Sequence, residues 1–160
     1  MKNIREDEQK MYELIAIDLD GTLLNAYGEI SNEDKAAIQK QIQKGVEVVL
    51  TSGRTISAME NFAEEVGANH YLISGNGTAI YDLKKQQVIY HQYLSKDKIL
   101  EIVKICEQHS MYYNVYTDRS IITKSLNFNT LFYYSENLKK PMEKRTNIEI
   151  IIIVKMHTNT

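Results

Sequence analysis

The 160-residue chain has 25% charged and 43% apolar residues and a formal charge of −2, an ordinary globular balance with length for one good core or two small ones. It has no basic field suited to nucleic acid or to an acidic membrane surface, its longest apolar run is far too short for a membrane span, and the charged stretch 1–13 lacks a signal-peptide core. A cytoplasmic protein is the default expectation, and the single cysteine, Cys106, excludes an internal disulfide.

Leu14-Ile15-Ala16-Ile17 reads as a buried strand, apolar on both faces, and Gly21 ends it in a turn. Ser31 caps a helix running to about Lys44, with Asp34 at the capping-box position and Gly45 as its stop. Residues 46–50 form a second strand. A second helix carries Ile56, Met59, Ala63 and Val66 at helical spacing, opens on a Ser57/Glu60 box and closes at Gly67. Tyr71-Leu72-Ile73 is a third strand. This strand–helix alternation predicts a parallel sheet with right-handed crossovers.

The pattern changes near residue 78. Residues 78–81 and 87–90 read as strands joined by Asp82-Leu83-Lys84-Lys85, and Ser95 caps a helix with Ile99, Ile102, Val103 and Cys106 on one face. Residues 112–117 and 121–123 fit a hairpin around Asp118-Arg119-Ser120. Residues 124–147, with the one proline at 141, read as a weak helix plus a loop. Residues 148–156 form a strongly apolar strand, and the tail from His157 has no structural signature. The division is 1–82 for the parallel unit and 83–160 for a second, more antiparallel one. A strand such as 148–156 is either paired on both sides or a sticky edge, so self-association through unpaired sheet edges is an expectation.

Asp18-Leu19-Asp20-Gly21-Thr22-Leu23-Leu24-Asn25 carries the chemistry. In a parallel sheet ligands bind beyond the carboxyl ends of the strands, where Asp18 and Asp20 fall. Magnesium takes hard oxygen ligands, and a carboxylate attacking phosphorus needs a cation to offset the negative charge. A second carboxylate, kept partly protonated by the first, can pass a proton to the leaving group. Asp-x-Asp by itself reads more readily as turn-forming residues at a strand end than as a site.

The longer string resembles the nucleophile motif of the haloacid dehalogenase-like (HAD) hydrolases, and most closely that of the Cof-type phosphatases. The resemblance implies Asp18 as nucleophile, Asp20 as general acid and then base, and Mg²⁺ held by the Asp18 carboxylate and the Asp20 main-chain carbonyl. It also implies phosphate contacts around Leu19, Gly21 and Thr22. Val48-Val49-Leu50-Thr51-Ser52-Gly53-Arg54 is similar to the second family motif, with Ser52 where threonine is usual. Ser52 then donates to a phosphoryl oxygen with Thr51 as an alternative, Gly53 lies beside it, and Arg54 anchors the loop or reaches substrate. Ser74-Gly75-Asn76-Gly77-Thr78 resembles the family's Asn-Gly stretch after the third strand, which implies that Asn76 borders the phosphate site, although Asn-Gly is also a frequent hairpin turn. Residues from 83 resemble the start of an inserted cap. The implied fold is α/β: a partial Rossmann-like three-layer HAD core with a partial mixed α/β cap domain. The implied partner is a small phosphorylated metabolite, with no nucleic acid and no membrane.

The family's later lysine and acidic motifs have no counterpart here, because Lys139, Lys140, Lys144 and Lys155 lie in cap-like sequence. Such transition-state contacts are each worth about 3 kcal/mol, so weak Mg²⁺ binding and little turnover by this chain alone are expected. A non-catalytic scaffold acting through self-association or a partner chain is the alternative, and a flavodoxin-like binding domain a third reading. The histidines form no metal cluster by spacing: His70 reads as structural, and His91 as structural or cleft-facing. Cys106 reads as packed. Tyr112, Tyr113, Tyr116, Phe132, Tyr133 and Tyr134 read as a sheet face or as a surface for an organic leaving group, and Asp118 and Arg119 as turn residues.

Overall fold

A computed structural model describes residues 12–117 and 119–150. Strands β1 (Leu14–Asp18), β2 (Glu47–Thr51) and β3 (Tyr71–Ser74) are parallel neighbours, joined by helices α1 (Asn32–Gln43) and α2 (Ile56–Val66). Asp18 pairs with Thr51, and Thr51 with Ile73, so all three strands finish on one edge of the sheet. Strands β4 (Ala79–Asp82) and β5 (Gln87–His91) then add antiparallel to β3, giving the order β1-β2-β3-β4-β5. The strand expected at 87–90, beyond the division at 82, therefore pairs with the first sheet.

The main core lies between this sheet and its helices. Leu19, Leu50, Ile56, Met59, Val66 and Leu72 are essentially inaccessible and belong to one cluster. The expectation of a strand buried on both faces fails at β1. Leu14, Ala16 and Asp18 are exposed, because β1 is the sheet edge and no described element covers that face. Ser31 caps α1 by accepting from the Asp34 N–H at 3.0 Å. The Ser57/Glu60 box does not form. Thr55 precedes the first turn of α2, and the Ser57 hydroxyl instead meets the Thr146 hydroxyl at 2.9 Å.

The second unit holds α3 (Lys96–Gln108), β6 (Asn114–Tyr116), β7 (Ser120–Thr123), α4 (Phe128–Leu138) and β8 (Asn147–Ile150). Strand β7 pairs antiparallel with β6 and parallel with β8. The weak helix in 124–147 proves to have a full capping box: Asn127 accepts from the Thr130 N–H at 3.1 Å and Thr130 Oγ1 accepts from the Asn127 N–H at 2.7 Å. The remainder of the strand expected at 148–156, the tail, Lys155, His157 and Asp118 lie outside the described residues.

The two units meet along α2. Ala58 packs with Ile121, Tyr133 and Ile148, and Lys140 Nζ donates to the Ser57 carbonyl at 3.3 Å. Burial holds the Lys140 ammonium below its usual range. Arg119 is more than a turn residue: it bonds Glu60 at 3.4 Å and the Tyr81 hydroxyl at 3.3 Å, tying the hairpin to the first unit. Among the described residues no helix is long and apolar enough to cross a membrane.

Candidate active site

The site begins where β1 ends. Beyond Asp18 the chain makes a wide turn, Leu19–Leu23, closed by the Leu24 N–H donating to the Leu19 carbonyl at 2.9 Å. Gly21 sits at φ 79°, a left-handed conformation that a side chain would strain. Leu19 points into the core, which pins the turn and leaves Asp18, Asp20, Gly21 and Thr22 at the surface.

The loops after β2 and β3 are stapled together next to this turn. The Ser52 N–H donates to the Ile73 carbonyl at 3.0 Å, the Asn76 N–H to the Ser52 carbonyl at 3.1 Å, and the Gly75 N–H to the Arg54 carbonyl at 3.1 Å. Gly53 eases this close approach, because a Cβ there would lie 3.1 Å from the Asn76 amide group, which would have to shift slightly. Asn76 itself adopts φ 56°, which asparagine tolerates better than most residues.

The two aspartates differ sharply. Among the described residues no hydrogen-bonding or ion-pair partner meets the exposed Asp18 carboxylate. The Asp20 carboxylate, although its side chain is 55% exposed, accepts three hydrogen bonds. Arg54 reaches it with two bonds, Nε to Oδ2 at 2.9 Å and Nη2 to Oδ1 at 2.6 Å, and Ser52 Oγ donates to Oδ2 at 3.1 Å. These contacts, the Arg54 hydrogen bond foremost, hold the Asp20 carboxyl below its usual range despite partial burial. Burial alone would weaken the Arg54 charge, but the hydrogen bonding and charge of Asp20, together with Glu136 and Tyr133, outweigh it and raise the guanidinium's pKa. The expectation that Asp20 stays partly protonated is thereby corrected: a neighbouring cation, rather than the neighbouring carboxylate, sets its charge. Ser52 and Arg54 likewise serve Asp20 in this arrangement.

The structure thus brings Asp20, Ser52 and Arg54 into direct contact and ties Gly53 and Asn76 to them. A cleft of about 750 Å³ opens from these loops toward the second unit. Its near end carries Gly53, Arg54 and Asn76, and its far wall includes Tyr93, Ile102, Tyr113 and Tyr116. Arg54 is the one charged residue among those lining it. His91 stacks on Tyr93 at 4.5 Å without lining the cleft, and His70 bridges Glu47 at 2.9 Å and Lys84 at 2.6 Å, a structural role. The tyrosine cluster divides: Tyr113 and Tyr116 line the cleft, while Tyr133 is buried against α2.

Sequence reasoning missed the surroundings of Arg54. Its guanidinium lies over Phe62 at 5.4 Å and Phe132 at 5.1 Å, and Nη1 is 3.7 Å from Glu136. The spacing of Phe132 and Glu136 shows that they share a helix face. Nothing in it shows which residue, far back in the chain, they meet.

For a metal ion, the described residues include no group of three His, Cys, Asp or Glu side chains that could hold one. Among the described residues, the exposed Asp18 carboxylate is a hard oxygen donor at this turn that is free to bind. That suits Mg²⁺ in kind, since this ion keeps several waters and uses one or two protein oxygens together with phosphate.

The family model of the haloacid dehalogenase-like hydrolases matches residues 15–158. The chain belongs to this family. It is 36% identical over 110 residues to phosphatase YwpJ of Bacillus subtilis, covering 69% of the chain and 38% of that protein. It is 46% identical over 69 residues to the B. subtilis 5-amino-6-(5-phospho-D-ribitylamino)uracil phosphatase YcsE, covering 43% of the chain and 28% of that protein. A solved B. subtilis HAD-like hydrolase superposes with a TM-score of 0.69 at 28% identity, covering 87% of the chain and 54% of that structure. A HAD-like hydrolase from Bacteroides thetaiotaomicron gives 0.72 at 22% identity over 89% of the chain and 52% of that structure, a likeness of fold. This HAD-like chain spans about half the length of those solved structures. Its first sheet is part of a Rossmann-like HAD core, and the Cof-type assignment and the α/β fold stand.

Proposed function

We propose that this chain carries the nucleophile-bearing part of a phosphate monoester hydrolase acting on a small phosphorylated metabolite. The observation that carries the reading is the contrast at the end of β1. Asp18 is exposed and unengaged, whereas Asp20, two residues on, is held by Arg54 and Ser52. Named phosphatases among the relatives support the reaction class.

Asp18 attacks phosphorus and the bond to the leaving oxygen breaks, leaving an aspartyl-phosphate that water then hydrolyses. Asp20, ionised as it stands, is ready to accept the proton of that water. To protonate the leaving oxygen first, it must gain a proton and loosen its bonds to Arg54. Ser52 Oγ and the main chain around Gly21 and Asn76 are the donors for phosphoryl oxygens. The Asp18 carboxylate and the Asp20 carbonyl would hold Mg²⁺, which would offset the charge of carboxylate and phosphate. The second unit acts as the cap, and its cleft wall with Tyr93, Tyr113 and Tyr116 receives the leaving group.

The experiment is trapping. Incubation with acetyl phosphate and Mg²⁺, followed by peptide mass mapping, should place a phosphoryl group on the peptide containing Asp18. Asp18→Asn should abolish it, and turnover of an aryl phosphate by the chain alone should be slight. A label that survives Asp18→Asn would end the proposal.

A further inference from the structure

The surroundings of Arg54 reach beyond the first unit, and we infer that Phe132 and Glu136 of α4 are positioning residues that hold Asp20 in place through Arg54. The chain of contacts is continuous. Arg54 grips Asp20 with both a side and an end nitrogen, at 2.9 and 2.6 Å. Its guanidinium carbon lies 5.4 Å from the ring centre of Phe62, which belongs to α2, and 5.1 Å from that of Phe132, which belongs to α4. Its remaining end nitrogen faces Glu136, also on α4, at 3.7 Å. Only 8% of the Arg54 side chain is exposed, so its freedom is set by these neighbours. An arginine is suited to this task because its planar fork binds a carboxylate edge-on while its faces remain open to aromatic rings.

Helix α4 is itself fixed by contacts away from Arg54. Tyr133 packs on Ala58 and Ile121, Asn137 exchanges two hydrogen bonds with the Thr146 main chain at 2.7 and 2.9 Å, and Lys140, just past the helix, caps the Ser57 carbonyl. The second unit thus sets α4, α4 supplies one ring and one charge to Arg54, and Arg54 orients Asp20. If α4 moved away, Arg54 would keep Phe62 and lose Phe132 and Glu136. The position of the second unit is therefore transmitted to the carboxylate beside the nucleophile. The catalytic meaning rests on the acid–base role proposed for Asp20; the contacts do not depend on it.

The test reads Arg54 directly by NMR of the chain in solution. Phe132→Leu keeps apolar bulk and removes the aromatic face; Phe132→Tyr restores the face. Solvent exchange of the Arg54 Hε should quicken about fivefold in Phe132→Leu, the size of a lost cation–π contact. The amide resonances of Asp20 and Ser52 should shift with it, and Phe132→Tyr should return both to the original values. Glu136→Gln should give a smaller change of the same sign. Leu131→Ala, at an exposed position of the same helix, should change neither. Unaltered Hε exchange and Asp20 amide in Phe132→Leu, or equal effects of Phe132→Leu and Leu131→Ala, would overturn the inference. Neither result bears on whether Asp18 is phosphorylated.

Discussion

Helices α2 and α3 are of similar length and both carry an apolar stripe, yet their fates differ. In α2 the residues Ile56, Ala58, Met59, Phe62, Ala63 and Val66 are all buried, between the first sheet on one side and the second unit on the other. In α3 no residue is buried, and Leu100, Ile102 and Ile105 are each about half exposed. Amphipathic spacing declares that a helix has a face to bury; it does not supply the surface that buries it. The helix packed from two sides is also the one that immediately follows the Ser52–Arg54 loop, so the site stands next to a well-buried element.

Cutting into α2 should have the largest effect. Met59→Ala should cost about 3 kcal/mol of stability in urea denaturation, since its side chain is fully enclosed. A loss below that of an exposed α3 substitution would dissolve the contrast. The next effect is tied to pH. Burial, with Tyr116 nearby, pushes the Tyr133 phenol up from 10.0 to about 12. The unfolded chain then releases that proton first, so the stability held up to pH 10 is lost as pH rises toward 12. The loss is about 2–3 kcal/mol and should be missing from Tyr133→Phe; equal alkaline limbs in the two proteins would show that Tyr133 is not buried against α2.

Smaller effects sharpen the comparison. Arg119→Ala removes a half-exposed ion pair with Glu60 and a bond to the Tyr81 hydroxyl, and should cost about 1 kcal/mol or less. Hydrogen exchange should quicken in β6 and β7 and stay unchanged in β2. Ile102→Ala on α3 should change stability by no more than about 0.5 kcal/mol, as expected of a surface position. A loss as large as that of Met59→Ala would show that the α3 face is covered in solution.

Much of the first unit was legible because its signals are local. Ser31, Gly45 and Gly67 mark helix ends through their own hydrogen bonding or positive φ, and apolar runs mark β2 and β3. The string from Asp18 to Asn25 identified the end of β1 as the candidate site. Misreadings arose where a non-local partner decides. The composition of Leu14–Ile17 signals burial, but an edge strand is covered only if something lies against it. Ser57 has the spacing of a helix cap, yet Thr146 claims its hydroxyl. Arg119 looked like a turn residue because Glu60 and Tyr81 lie far back in the chain.

The sequence by itself determined the helices, the parallel order of β1 to β3 and the presence of two acidic side chains two positions apart. Those follow from backbone propensity, apolar periodicity and the residue identities themselves. Only the tertiary structure decided that these two carboxylates are unlike. One is left in solvent, and the other is neutralised by an arginine whose own position depends on two aromatic rings from separate helices. A charge's behaviour is set by what lies within a few ångströms of it, and folding, not chain order, chooses those neighbours.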